Sequence, residues 1–146
     1  MKIFIGSDHG GFTHKQAIIT HLHEKGLEID DLGPHEMDAD DDYPEFANLV
    51  AKKVGAGKGL GILICGSGIG MSIAANKIRG VRAARCATPE DAALSRKHND
   101  ANLLCIGGRT STTGNAITMV DAWLGTKFEA GKHQRRVNKI SSMENE

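Results

Sequence analysis

The sequence predicts an α/β protein: a Rossmann-like, doubly wound three-layer sandwich on a five-stranded parallel sheet, closed by a C-terminal helical tail. Three observations carry that prediction. Short apolar runs alternate with longer stretches whose apolar residues recur at helical spacing, strand then helix along the whole chain. Glycine supplies 18 of 146 residues while Phe, Trp and Tyr number 4, 1 and 1, which suits tight strand-to-helix turns better than a β-sandwich. The run Gly59–Cys65 (GLGILIC) is apolar throughout, as expected of a parallel strand covered on both faces.

Each element follows in order. Lys2–Gly6 (KIFIG) reads as a buried strand, and Phe12, Ile18, Ile19 and Leu22 fall near one stripe of a helix ending around Gly26. Leu27–Leu32 is a second strand, and the loop Gly33–Asp42 carries an acidic run. Pro44 suits the first turn of the next helix, with Phe46, Leu49, Val50 and Val54 as its inner stripe. After Gly59–Cys65 come a turn at Gly66–Gly70 (GSGIG), a helix at Met71–Ile78 and a strand at Val81–Cys86. A helix at Pro89–Lys97, a strand at Leu103–Gly107 and a helix at Asn115–Leu124 complete the repeat, the last with Ala116, Val120 and Trp123 inward. Right-handed crossovers would bring the carboxyl ends of the strands to one rim, where such sheets bind ligands. That rim gathers Ser7–Gly11, Gly66–Gly70 and Gly107–Arg109. The polar, basic tail from Ala130 is the one part this core does not claim.

A chain of this length is expected to be one domain, 1–146. Lys and Arg together equal Asp and Glu at 18 each, so the basic surplus of a nucleic-acid or anionic-membrane binder is missing. No apolar run reaches membrane-spanning length. The start, MKIFIGSDHGG, meets Asp8 and His9 too early for a secretion signal. Three scattered cysteines, Cys65, Cys86 and Cys105, argue against a disulfide framework and for a reducing, cytoplasmic setting.

Several segments can carry chemistry. GSGIG has two readings: a tight βα turn, or an anion and oxyanion pocket built from backbone N–H groups at a helix start. It is neither a dinucleotide fingerprint, since Met71 stands at the third glycine, nor a P-loop. Cys65 ends the strand before that turn, where a thiol can serve as nucleophile or base; Cys86 and Cys105 lack a following glycine turn and read as inert. Asp8 and His9 suit hydroxyl binding or proton transfer, against the plainer reading of a helix cap beside a solvated histidine. His98 and Asn99 end a helix, a place a histidine also favours for the helix dipole alone. Arg109, and Lys132, His133 and Arg136 on a helical tail, suit phosphate, against a solvated basic face. The acidic loop Asp38–Asp42 lacks the glycine and closing glutamate of a calcium loop, and the seven histidines show no zinc spacing. No metal and no cofactor are expected.

Taken in order, SDHGG (Ser7–Gly11), DYP (Asp42–Pro44), ILICGSGIGMSIAANK (Ile62–Lys77), SRKHNDAN (Ser95–Asn102) and GKHQRRV (Gly131–Val137) resemble ribose-5-phosphate isomerase type B, within a superfamily that includes galactose-6-phosphate isomerase subunits. The resemblance covers nearly the whole chain. It implies a metal-independent aldose–ketose isomerase of carbohydrate metabolism, interconverting ribose 5-phosphate and ribulose 5-phosphate through an enediol(ate). The alternatives are a hexose 6-phosphate (galactose or allose) isomerase of the same superfamily, or a non-catalytic phosphate-binding module. By the same resemblance Cys65 is the base. Met71 stands where another branch uses glutamate for that task, and a methionine cannot take a proton. Ser67 assists proton transfer between the oxygens, and Gly66, Gly68 and Gly70 cradle the enediolate. His98, with Asp8 nearby, opens the sugar ring. His9, Arg109, His133, Arg136 and Lys132 take the phosphate, Lys132 without the forked geometry of arginine, and Tyr43 and Asn99 touch substrate. The resemblance also implies a homodimer or homotetramer with shared active sites, the tail from about residue 130 packing on a neighbour.

Overall fold

The computed structural model describes residues 1–146. Its strands are β1 (Lys2–Ser7), β2 (Glu28–Asp31), β3 (Leu60–Cys65), β4 (Ala83–Arg85) and β5 (Leu103–Gly107). Its helices are α1 (Phe12–Glu24), α2 (Tyr43–Gly55), α3 (Ile69–Ala75), α4 (Pro89–Asn99), α5 (Thr113–Leu124) and α6 (Lys132–Ser142). The strands form one sheet in the order β2-β1-β3-β5-β4, every pairing parallel. Ile3, Ile5, Ile62, Ile64, Leu104 and Ile106 bury one face against Ile18 and Leu22 of α1, Ala92 of α4 and Ala116, Met119, Val120 and Trp123 of α5. Phe4, Leu63, Cys65, Leu103 and Cys105 bury the other against Ala47, Val50, Ala51 and Val54 of α2 and Met71 and Ala75 of α3. The expected doubly wound sandwich is therefore present, its central strands apolar on both faces because helices cover both.

Element ends differ from expectation for local reasons. The edge strand β4 is Ala83–Arg85 rather than Val81–Cys86: the Arg82 N–H donates to Asn102 Oδ1 instead of to a strand, and Gly80 turns with φ +83°. Helix α3 starts at Ile69 and stops at Ala75 instead of running from Met71 to Ile78. Past that end the Asn76 side chain is drawn away to bond both Ala83 N–H and Ala83 C=O. On α2 the inner stripe is Ala47, Val50, Ala51 and Val54, while Leu49 stays 49% exposed. Two alanines fill the space next to the sheet that a larger side chain would overpack.

One inward residue has no apolar pattern to announce it. Lys15, on the buried face of α1, is wholly enclosed, with Nζ 2.8 Å from both Asp31 oxygens and 2.8 Å from the Pro34 carbonyl. It fastens α1 to the end of β2 and to the loop beyond it, which leads toward Asp41 and Tyr43.

Helix α6 packs on α4 and buries only Val137. The final turn is tied back to its own chain, where Gly80 N–H donates to Glu144 Oε1 at 2.7 Å and Arg79 to Asn145 at 2.9 Å.

Candidate active site

The register sets Ser7 beside Ile64 and Cys65 beside Gly107, so the carboxyl ends of β1, β3 and β5 share a rim. Backbone bonds lace the three loops together: Asp8 N–H to Ile64 C=O at 3.2 Å, Gly108 N–H to Cys65 C=O at 2.7 Å and Arg109 N–H to Gly66 C=O at 2.9 Å. Between β1 and β3 the chain switches from one face of the sheet to the other, and a crevice opens there. Asp8, Tyr43, Cys65, Gly66, Ser67, Gly70 and Arg109 line it, joined by Ile69, Ile73 and Thr110.

Cys65 is packed into the core on one side and lines the crevice on the other. Sγ accepts the Gly68 N–H at 3.2 Å, and Ser67 Oγ accepts that of Ile69 at 3.2 Å. Gly68 therefore holds the sulfur rather than an oxyanion. The N–H groups of Gly66, Ser67 and Gly70 donate to nothing in the chain, which leaves three donors for an incoming oxygen. Gly68 needs its glycine: φ is +77°, and a Cβ there would lie 2.9 Å from the Ile106 carbonyl carbon. A Cβ on Gly70 would lie 2.6 Å from the Tyr43 ring, so that aromatic wall rests directly on the turn. Met71 is fully buried in the core and has no access to the crevice chemistry.

Asp8 is 8% exposed and Oδ1 has no hydrogen-bond partner; it caps nothing. Burial lifts its carboxyl above the usual range. The His9 imidazole and Gly10 amide pull it back, and the Asp41 carboxylate adds to the rise. At the rim His9 Nδ1 lies 2.7 Å from Asp41 Oδ1. Arg109, exposed and without an ion pair, lies over Gly66, where an added Cβ would sit 3.2 Å from Nη1. Cys86 is pushed up to about 11 by burial, and Cys105 well above the usual thiol range for the same reason, as expected of inert core thiols.

The remaining expected residues are elsewhere. His98 and Asn99 end α4, which runs back against the strands, so they lie at the opposite edge of the sheet. Asn99 lines a separate cleft with Arg82, Ala83 and Ile140. At about 3.3 Å per residue, six-residue β3 alone puts roughly 20 Å between the two edges. Asp8 and His98 are therefore not neighbours within one chain, contrary to expectation. The His98 ring stacks on that of His133 with centroids 4.3 Å apart, and its Nε2 lies 3.6 Å from Glu129. Desolvation first, and then the electrostatic influence of His98, Lys132 and Arg136, hold the His133 imidazole below its ordinary value, with Glu129 opposing. Lys132 and Arg136 are exposed on α6 and form no ion pair. The expected site residues thus fall into two groups at opposite edges of the sheet.

Two clusters gather metal-ligand atoms within 4.8 Å, His98–Glu129–His133 and Asp8–His9–Asp41. In the first, the two imidazoles are only 15° from parallel, and lone pairs in such planes do not converge on one ion at bonding distance. In the second, His9 Nδ1 and Asp41 Oδ1 hydrogen-bond to one another at 2.7 Å.

A five-stranded doubly wound sheet with a thiol under a glycine turn, a buried carboxyl and an arginine at the switch point defines an α/β enzyme acting on a small anionic ligand. The model of the Ribose/Galactose Isomerase family matches residues 3–140, and the chain belongs to that family of isomerases. It is 51% identical over 147 residues to a probable ribose-5-phosphate isomerase B of Mycoplasma genitalium, covering 99% of this chain and 97% of that one. It is 48% identical to the ribose-5-phosphate isomerase B of Escherichia coli, covering 98% and 96%. The crystal structure of the Mycoplasma genitalium enzyme with bound ribulose 5-phosphate superposes with a TM-score of 0.97 at 50% identity, over 99% of this chain and 97% of that one. No helix is long and apolar enough to cross a membrane.

Sequence reasoning missed Asp41, Thr110, Ile69 and Ile73. Asp41 lies in the acidic run read only as a poor calcium loop, and only the fold brings it 32 residues back to His9.

Proposed function

We propose that this chain interconverts ribose 5-phosphate and ribulose 5-phosphate in the cytoplasm, with no metal or cofactor, as a homodimer or a pair of dimers. The observation that carries the chemistry is Cys65 Sγ beside Gly66, Ser67 and Gly70, whose amides are free. A proton next to a carbonyl is weakly acidic, and its removal needs a base and stabilisation of the oxyanion that forms. Cys65 takes the proton from C2 and returns it to C1, the free amides hold the enediolate, and Ser67 moves a proton between the two oxygens. His9 and Arg109 receive the phosphate from this chain. A symmetry-related neighbour supplies His98 to open the ring, Asn99 to contact the sugar, and Lys132, His133 and Arg136 to complete the phosphate site. Ile69 and Ile73, 52% and 60% exposed on the lip of the crevice, give that neighbour an apolar surface to cover. All three cysteines are free thiols, which suits a reducing compartment.

The test is turnover of ribose 5-phosphate against allose 6-phosphate and galactose 6-phosphate, each with and without a chelator. The pentose phosphate should have the highest kcat/KM, unchanged by chelation. Preferred turnover of a hexose phosphate would overturn the substrate assignment, and a loss restored by added metal would overturn the metal-free chemistry.

A further inference from the structure

We infer that Asp41 is a positioning residue for His9, anchoring its imidazole through Nδ1 and its backbone through N–H so that Nε2 is the atom offered to the substrate's phosphate. The inference rests on the phosphosugar reading of the crevice. Asp41 Oδ1 takes both bonds, His9 Nδ1 at 2.7 Å and His9 N–H at 3.1 Å. Its side chain is only 6% exposed while that of His9 is 32% exposed, so a buried anchor holds an accessible ring. Nε2 makes no bond within the chain, and the exposed Arg109 guanidinium is near enough for its charge to be felt at the ring.

The anchor also decides what Nε2 can do. With Nδ1–H committed to Asp41, the neutral ring carries a bare lone pair at Nε2, which repels a phosphate oxygen; only the cation donates there. The charged groups facing the ring are Asp41, Asp8 and Arg109. The hydrogen bond to Asp41 leads in raising the His9 imidazole above its ordinary value; desolvation opposes it, the Asp8 and Asp41 charges add to the rise, and Arg109 opposes. The cation, and with it the donor, therefore persists to higher pH than in a solvated histidine.

Asp41→Asn keeps an acceptor and removes the charge; Asp41→Ala removes both. Imidazole 15N–1H NMR of the free protein, with His9 assigned by its loss in His9→Gln, reads the titration midpoint and tautomer. Steady-state kinetics with ribose 5-phosphate, and inhibition by inorganic phosphate, read binding. In Asp41→Asn the His9 midpoint should fall, and KM and the phosphate inhibition constant at pH 7.5 should rise about tenfold, the scale of one charge-assisted bond, with kcat changed much less. The gap from the wild type should close below about pH 6, where His9 is a cation in both. Because the substrate's own phosphate titration near pH 6 is common to both proteins, it cancels in that ratio. Asp41→Ala should in addition lose the Nδ1–H tautomer preference. A midpoint unmoved in both variants would overturn the inference, as would an unchanged KM in Asp41→Asn when His9→Ala raises it. Unchanged KM and phosphate inhibition in His9→Ala would instead remove the phosphate assignment itself, and the purpose given to Asp41 with it.

Discussion

Cys65 differs from the other two cysteines by position rather than by chemistry. Cys65 ends β3, Cys86 follows β4 and Cys105 lies within β5; all three are buried, at 5%, 2% and 0% exposure, yet only Cys65 lines the crevice. Under native conditions a small alkylating reagent such as iodoacetamide should therefore label one site, Cys65, and bound sugar phosphate should protect it. Mass spectrometry of the intact and digested chain checks this, and labelling at Cys86 or Cys105 before Cys65 would contradict it. Cys65→Ala should lower kcat by about 10²–10⁴-fold, the range for loss of a proton-transferring group, with little change in KM. Such a residue was legible in the sequence because a thiol at the last position of an apolar strand, followed by GSGIG, has its surroundings fixed by its immediate neighbours. The partner of His9 was not legible. Asp41 is one of four aspartates between Asp38 and Asp42, and nothing local marks which of them folds back onto the first strand's loop.

At the scale of elements, periodicity identified the strands and helices but not every inward residue. Lys15 occupies an inner position of α1, where a stripe of Phe12, Ile18, Ile19 and Leu22 led to the expectation of apolar side chains only. Burial of an ammonium is tolerable because three oxygens at 2.8 Å surround it, and these come from β2 and the loop after it, distant features that a helical pattern cannot display. Removal of one partner of a buried pair leaves the other uncompensated. Lys15→Ala should destabilise the fold by about 3–5 kcal/mol, which at this chain length is a Tm lower by roughly 10 °C or more. Lys15→Met, which fills the same space without a charge, should cost less because it leaves a smaller cavity. Thermal unfolding by circular dichroism compares the two, and equal stability of Lys15→Ala and the wild type would show that the pair contributes nothing. The ends of α3 and β4 were hard to read for a related reason: Asn76 and Asn102 side chains replace backbone partners there, so tertiary contacts set the boundaries.

For the whole molecule, the layer order was legible because strand–helix alternation with right-handed crossovers admits few arrangements, and the core follows from it. The separation of the candidate residues into two groups was not readable from spacing. Cys65 and His98 are only 33 positions apart, but one ends a strand and the other ends a helix that runs the opposite way, so the sheet separates them by roughly 20 Å. A single sugar phosphate cannot bridge that span within one chain, whereas in the proposed homodimer a two-fold axis would bring one chain's Cys65 edge to its neighbour's His98 edge and make two equivalent composite sites. This arrangement has a quantitative consequence for mixed proteins. Cys65→Ala and His98→Ala should each be nearly inactive on ring-closed ribose 5-phosphate. Mixed in equal amounts and allowed to exchange subunits, half of the dimers pair one variant with the other. In each such dimer one site carries both substitutions and the other carries neither, so activity should recover to roughly a quarter of the wild type. Cross-linking the subunits before mixing should abolish the recovery. If instead each chain held a complete site, no intact site could form by exchange and the mixture would stay as inactive as its parts.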